Sequence, residues 1–228
     1  VEYSPILALA TGIFECVLAF FALFSPGRKR ILHPVALLLL LLAGYQFAEI
    51  AVCSHPDNLL FTRVAFFDIT WLPPVALWLL FQLSSPKRIW WKYLVAACFV
   101  LGSVLVLWIL LDPAIVTKSV CQVVIARYDL TDPFHTAYGG FYHLGMLGVI
   151  FGSAAAMANA DDKVIRRHLA NLQTGILGFV LPSLILQMLM SQPAGAMPSV
   201  MCHFALILAV SFTFLIFRER RFDSRSFS

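Results

Sequence analysis

Residues 25–53 read SPGRKRILHPVALLLLLLAGYQFAEIAVC. Three successive cations, Arg28, Lys29 and Arg30, precede a run, 34–53, whose single formal charge is Glu49. At 1.5 Å per residue, about twenty apolar residues of α-helix cross a bilayer core of about 30 Å. A helix is favoured there because it pairs its backbone polar groups internally, where no water can do so. Reading outward for the same pattern predicts spans over 5–24, 34–53, 59–84, 93–111, 136–159, 170–190 and 197–217. The expected fold is an all-α bundle of seven transmembrane helices over 1–217, followed by a short basic tail at 218–228.

The loops between these segments sort charge by side. Of the 16 Lys and Arg, one set of loops and the tail hold Arg28, Lys29, Arg30, Lys87, Arg88, Lys92, Lys163, Arg166, Arg167, Arg218, Arg220, Arg221 and Arg225. The opposite loops hold only Lys118 and Arg127, and Arg63 lies within the third span. Cytoplasmic loops carry the Lys/Arg excess, so the N-terminus is expected outside and the C-terminus in the cytoplasm. The expected location is a bacterial inner (plasma) membrane, with the lipid bilayer as the first partner. Composition agrees, with 61% hydrophobic and 12% charged residues against about 25% charged in soluble domains. The net charge of +4 follows from the loop bias, which faces anionic headgroups, and does not point to nucleic acid. Seven spans would occupy the 228 residues and leave no length for a soluble catalytic domain. The first segment is long and lacks a basic n-region, unlike a cleavable signal peptide; the sequence starts at Val1 rather than Met, as expected if a few N-terminal residues were trimmed or left out.

Cys16, Cys98 and Cys202 fall inside spans, where a thiol acts as a small apolar group. Cys53 closes span two and Cys121 lies in the 112–135 loop, both on the oxidising side. A Cys53–Cys121 disulfide is expected to pin that loop to the top of span two, the alternative being two free thiols. The loop carries Tyr128, Asp129, Asp132, Pro133 and His135. Its length fits a lid or recognition surface, or else a solvated connector. Pro73, Pro74 and Pro182 sit midway along spans three and six, where a missing backbone donor makes a bend or hinge. Gly145, Gly148 and Gly152 give span five a small face that lets another helix approach.

Ionisable groups within the membrane are costly and mark function by default. Helix rise places Glu49 about 6 Å, Asp68 about 13 Å, His143 about 10 Å and His203 about 9 Å from the outer ends of their spans. Gln187 sits near the outer end of span six, Arg63 one turn into span three, and Glu15 near the middle of span one. The inner halves are almost wholly apolar. This one-sidedness predicts a polar pocket opening outward, with Glu49, Arg63, Asp68, His143, Gln187 and His203 as ligand contacts. The plainer reading pairs the acids with Arg63 inside the bundle and leaves both His as hydrogen-bonded core residues.

Glu15, Asp68, His143 and His203 are chemically suited to a metal, but no HExxH occurs and they would have to converge from four helices. No GxSxG elbow supports a serine hydrolase. Lys29, Lys87, Lys92, Lys118 and Lys163 all lie in loops, which excludes a retinal Schiff base. No haem motif and no internal repeat is visible.

The third span, Phe61-Thr62-Arg63-Val64-Ala65-Phe66-Phe67 with Leu72-Pro73-Pro74 and Leu79-Leu80-Phe81, resembles the N-terminal seven-helix sensor region of bacterial histidine kinases. The likeness extends through Arg166-Arg167, Gln173, Gly178 and Leu181-Pro182. It continues in Met197-Pro198, Phe204 and Phe217-Arg218-Glu219-Arg220-Arg221. The resemblance implies a sensor whose last helix leads to cytoplasmic signalling domains. Such domains are absent from these 228 residues, so phosphotransfer by this segment is not expected. Either a stand-alone sensor signals to a separate protein, or this is the receptor portion of a longer one. The expected function is therefore a membrane receptor for a small ligand that signals by helix rearrangement to a cytoplasmic partner. Its alternatives are an intramembrane metal-dependent enzyme acting on a lipid-like substrate, and a scaffold whose polar groups pair internally.

Overall fold

Pro73 and Pro74 cut the third apolar segment into two helices. In the computed structural model, which describes residues 5–84, 89–121, 126–189 and 204–226, α1 (Ile6–Phe24), α2 (Lys29–Ser54), α3 (Leu59–Ile69), α4 (Leu72–Leu83) and α5 (Ile89–Leu111) come first. A hairpin of β1 (Val116–Cys121) and β2 (Ala126–Leu130) follows, and then α6 (Phe134–Ala158), α7 (Lys163–Leu189) and α8 (Ala205–Ser226). The break falls at Thr70-Trp71, just ahead of the prolines. Neither Pro73 nor Pro74 can donate to the carbonyl four residues back, so the helix ends and restarts with its prolines in the first turn. A tighter bond from Trp71 N to Asp68 O, 3.3 Å, bridges the gap. Pro182 acts differently: α7 runs through it unbroken.

Among the described residues, six helical stretches are long and apolar enough to cross a membrane. They are α1, α2, Leu59–Leu83 (α3 and α4 together), Trp90–Leu111, α6 and Lys163–Ile185. Several helices start before their apolar runs: α2 begins at Lys29 and α7 at Lys163. Hydropathy reads the lipid-facing part of a helix, whereas the hydrogen-bond ladder continues into the interface. Helix α8 overlaps the last predicted segment from Ala205 onward, and residues 190–203, with the first part of that segment, lie outside the described residues.

Of these six stretches, α2 and the α3–α4 pair are the most enclosed, and those of α5 and α6 the most exposed. The leucine run of α2 buries Leu38, Leu39, Leu41 and Leu42, as expected of a helix that is apolar all round. Val100, Leu101, Val104 and Leu107 of α5, and Leu144, Leu147 and Phe151 of α6, are exposed apolar side chains suited to lipid contact. The small face of α6 is used within the chain. A Cβ at Gly145 would lie 2.6 Å from Pro73 Cβ, and one at Gly152 2.7 Å from Leu80 and Trp91 side-chain carbons. These glycines seat α6 on α4 and on the start of α5.

The 112–135 loop is more ordered than a connector requires. Its antiparallel strands pair Lys118 with Asp129 and Cys121 with Ala126, with an irregularity between Val116 and Lys118. Cys53 and Cys121 form the expected disulfide, with Cα atoms 5.6 Å apart, which fastens β1 to the end of α2. Ser119 Oγ adds a 2.7 Å bond to the Pro56 carbonyl.

Candidate functional site: a polar cluster roofed by a pinned hairpin

Helix α2 carries Tyr45, Gln46 and Glu49 on adjoining turns, all buried. Helical spacing brings 45 and 49, and 46 and 49, onto one side, which makes this the polar end of an otherwise apolar helix. Across from it, α3 supplies Thr62, fully buried, and Asp68, half-buried. Asp68 occupies a notch in α2: a Cβ at Gly44 would stand 2.5 Å from its Oδ1. Its other oxygen, Oδ2, has no hydrogen-bond partner among the described residues.

An aromatic roof covers the cluster. Tyr128 of β2 reaches into the bundle and is 1% exposed, and its hydroxyl lies 3.1 Å from the Tyr45 hydroxyl. Phe66 meets Tyr128 and Tyr138 edge-on, at centroid separations of 5.4 and 5.1 Å, the geometry that aromatic quadrupoles favour. Tyr138 is 3.5 Å from Thr70 Oγ1 and stacks on Phe134, which meets Trp108. The strand puts Tyr128 here by alternation: Ala126 and Tyr128 face inward, while Arg127 and Asp129 lie outward and pair at 3.0 Å. Both members of that pair are well exposed, so it contributes little.

The remaining expected contacts disperse. Arg63 donates from Nη2 to the Pro113 carbonyl at 3.0 Å and so steadies the base of the hairpin. His143 is exposed on α6, its Nδ1 2.7 Å from the Gly139 carbonyl of the preceding turn; it does not join Asp68. Gln187 lies on α7 with a side chain outside the described residues, and His203 is outside them altogether. Glu15 is fully buried on α1, and neither of its oxygens has a hydrogen-bond partner among the described residues. It sits about one turn along from Gly12, which packs on Gln46 and Phe47. Among the described residues no three His, Cys, Asp or Glu come together as metal ligands, so Glu15, Asp68 and His143 make no such set.

Four residues of this cluster escape a search for charge: Tyr45, Thr70, Tyr128 and Tyr138. A Tyr-Gln step one turn ahead of Glu49 is a readable signal for Tyr45. The inward side of the hairpin is visible only once the hairpin exists.

A second polar centre lies at the other end of the bundle. Glu219 of α8 is fully buried. Arg28, in the α1–α2 loop, donates from Nε to its Oε2 at 2.9 Å, from Nη2 to Oε1, and from its backbone N to Oε2 at 3.3 Å. His168 of α7, also fully buried, brings Nε2 to 2.7 Å from Oε1, within ion-pair reach but not aligned as a hydrogen bond. Burial alone would push the Glu219 carboxyl up, but the hydrogen bonds and charge of Arg28, with the His168 ring beside it, outweigh it and hold the group at about 2. The same hydrogen bond pushes Arg28 up.

No family model matches the chain, and no curated protein is significantly similar to it.

Proposed function

We propose that the chain is a membrane receptor that holds a small ligand in the outer polar cluster and signals by helix rearrangement. In this reading seven helices cross a bacterial inner membrane, with the N-terminus outside and the C-terminus in the cytoplasm. The sorted Lys and Arg support that orientation. One observation carries the ligand site: a carboxyl oxygen of Asp68 without a hydrogen-bond partner among the described residues, seated in the Gly44 notch beneath a hairpin fastened by a disulfide. A buried carboxyl oxygen in such surroundings is costly unless something satisfies it. A small molecule with a cationic or donor group fits that need. Glu49, Thr70, Tyr45 and Tyr138 would be its further contacts, and Arg63 would act through the hairpin base.

Access requires the hairpin to lift, because Tyr128 occupies the outward side. Binding would then favour one of two arrangements of the hairpin and of the α3–α4 break, and shift their populations. The resemblance to histidine-kinase sensor regions supports a cytoplasmic recipient, whether a separate protein or a following domain. The test is native mass spectrometry with elemental analysis on detergent-purified protein. A specific organic adduct in wild type, lost in Asp68→Asn, is the expected result. A stoichiometric metal lost in His143→Ala would replace the receptor with an enzyme.

A further inference from the structure

We infer that Arg28, His168 and Glu219 form a clamp that holds the terminal turns of α8 on the bundle or releases them as a unit. Three successive residues of α8 grip three different elements. Arg218 Nη1 reaches the Asn171 side chain at 3.2 Å and the Arg167 carbonyl at 3.4 Å, both on α7. Glu219 takes Arg28 from the loop and His168 from α7. The Arg220 guanidinium stands 5.9 Å from the Phe21 ring centroid of α1.

The loop is shaped for this contact. Gly27 has φ 139°, a left-handed conformation that disfavours any side chain. A Cβ there would lie 3.2 Å from Glu219 Cβ and 3.4 Å from its carbonyl carbon. The glycine thus lets the loop ride on the α8 backbone and delivers the Arg28 N–H and guanidinium to one carboxylate.

Buried ion pairs behave cooperatively, because losing one partner leaves an uncompensated charge inside. Glu219 therefore keeps all its bonds or leaves together with the residues beside it. The apolar contacts of Leu208, Phe212, Leu215 and Ile216 hold the preceding turns of α8 and need not break with it. The result is a two-state joint between the packed part of α8 and its terminal turns. It goes beyond the receptor reading and stands whether or not a ligand is found.

The test is hydrogen exchange, read by mass spectrometry, on the full chain in nanodiscs. Glu219→Gln and Arg28→Met should each speed exchange of amides 218–226 at least tenfold and leave the 116–130 hairpin unchanged. Arg28→Lys, which keeps the charge but loses the fork, should fall between. Unchanged exchange at 218–226 in both variants would overturn the clamp, as would an equal rise throughout the chain. Should Glu219→Gln fail to fold, Gly27→Ala should produce the same local rise. Loss of fold in both would make the triad a determinant of folding and overturn its role as a joint.

Discussion

Truncating Tyr128 should open the hairpin while the rest of the bundle stays closed. The ring is 1% exposed, meets Phe66 edge-on and shares a 3.1 Å hydroxyl contact with Tyr45. Removing a buried aromatic ring costs about 3–5 kcal/mol, whereas Tyr128→Phe removes the neutral hydroxyl contact with Tyr45, about 1 kcal/mol. The Cys53–Cys121 bond ties β1 to α2, so the hairpin cannot leave altogether and the cost appears as local opening. With a factor of ten per 1.4 kcal/mol, hairpin amides should exchange roughly a hundredfold to a few thousandfold faster in Tyr128→Ala. In Tyr128→Phe the increase should be about fivefold. Exchange over 116–121 and 126–130, followed by mass spectrometry with α2 peptides as an internal control, measures both. Equal effects of Ala and Phe, or no change in either, would refute the idea that this ring holds the hairpin down.

Other consequences are more compact. Cys53 and Cys121 should resist alkylation until reductant is added, and replacing both with Ser should lower thermal stability; loop-closure entropy for their separation of 68 residues sets an upper bound of about 4 kcal/mol. Inserted helices already constrain that loop, so the measured loss should be smaller. Gly44→Ala should cost about 1–3 kcal/mol by overpacking, because its Cβ meets Asp68 Oδ1 at 2.5 Å; Asp68→Ala should relieve that cost in a double-mutant cycle. Gly145→Val should loosen α6 from Pro73, read as a lower melting temperature in detergent. Glu219, held at about 2 in the fold, returns to about 4.3 on unfolding. Its contribution is complete above about pH 5 and is lost as pH falls toward 2, and Glu219→Gln should remove that part of the acid sensitivity.

Apolar runs made the six helices long enough to cross a membrane readable, and the place of Cys53 at the end of its apolar run, with Cys121 in the long polar loop, made their bond readable. The Pro73-Pro74 break was equally legible, since a missing backbone donor acts locally. Helical depth placed Asp68 and Glu49 among the outer polar groups, but depth says nothing about the direction a side chain faces. For that reason His143, at a similar depth, turns outward and bonds its own helix. Gly145 and Gly152 announced a close helix neighbour without naming it as α4. The Glu219 triad was hidden for another reason. Arg28, His168 and Glu219 lie in stretches that read as solvated ends, and only the fold brings 28 and 219 together.

Transmission across the membrane is tested most directly by electron–electron resonance between spin labels at positions 30 and 224, with Cys16, Cys98 and Cys202 replaced. The comparison is wild type against Asp68→Asn and Tyr128→Ala, both changed only at the outer cluster. A receptor that signals by helix rearrangement predicts a new or repopulated distance at the inner end in at least one variant. Identical distributions in all three, with the hairpin shown open by hydrogen exchange in Tyr128→Ala, would contradict it.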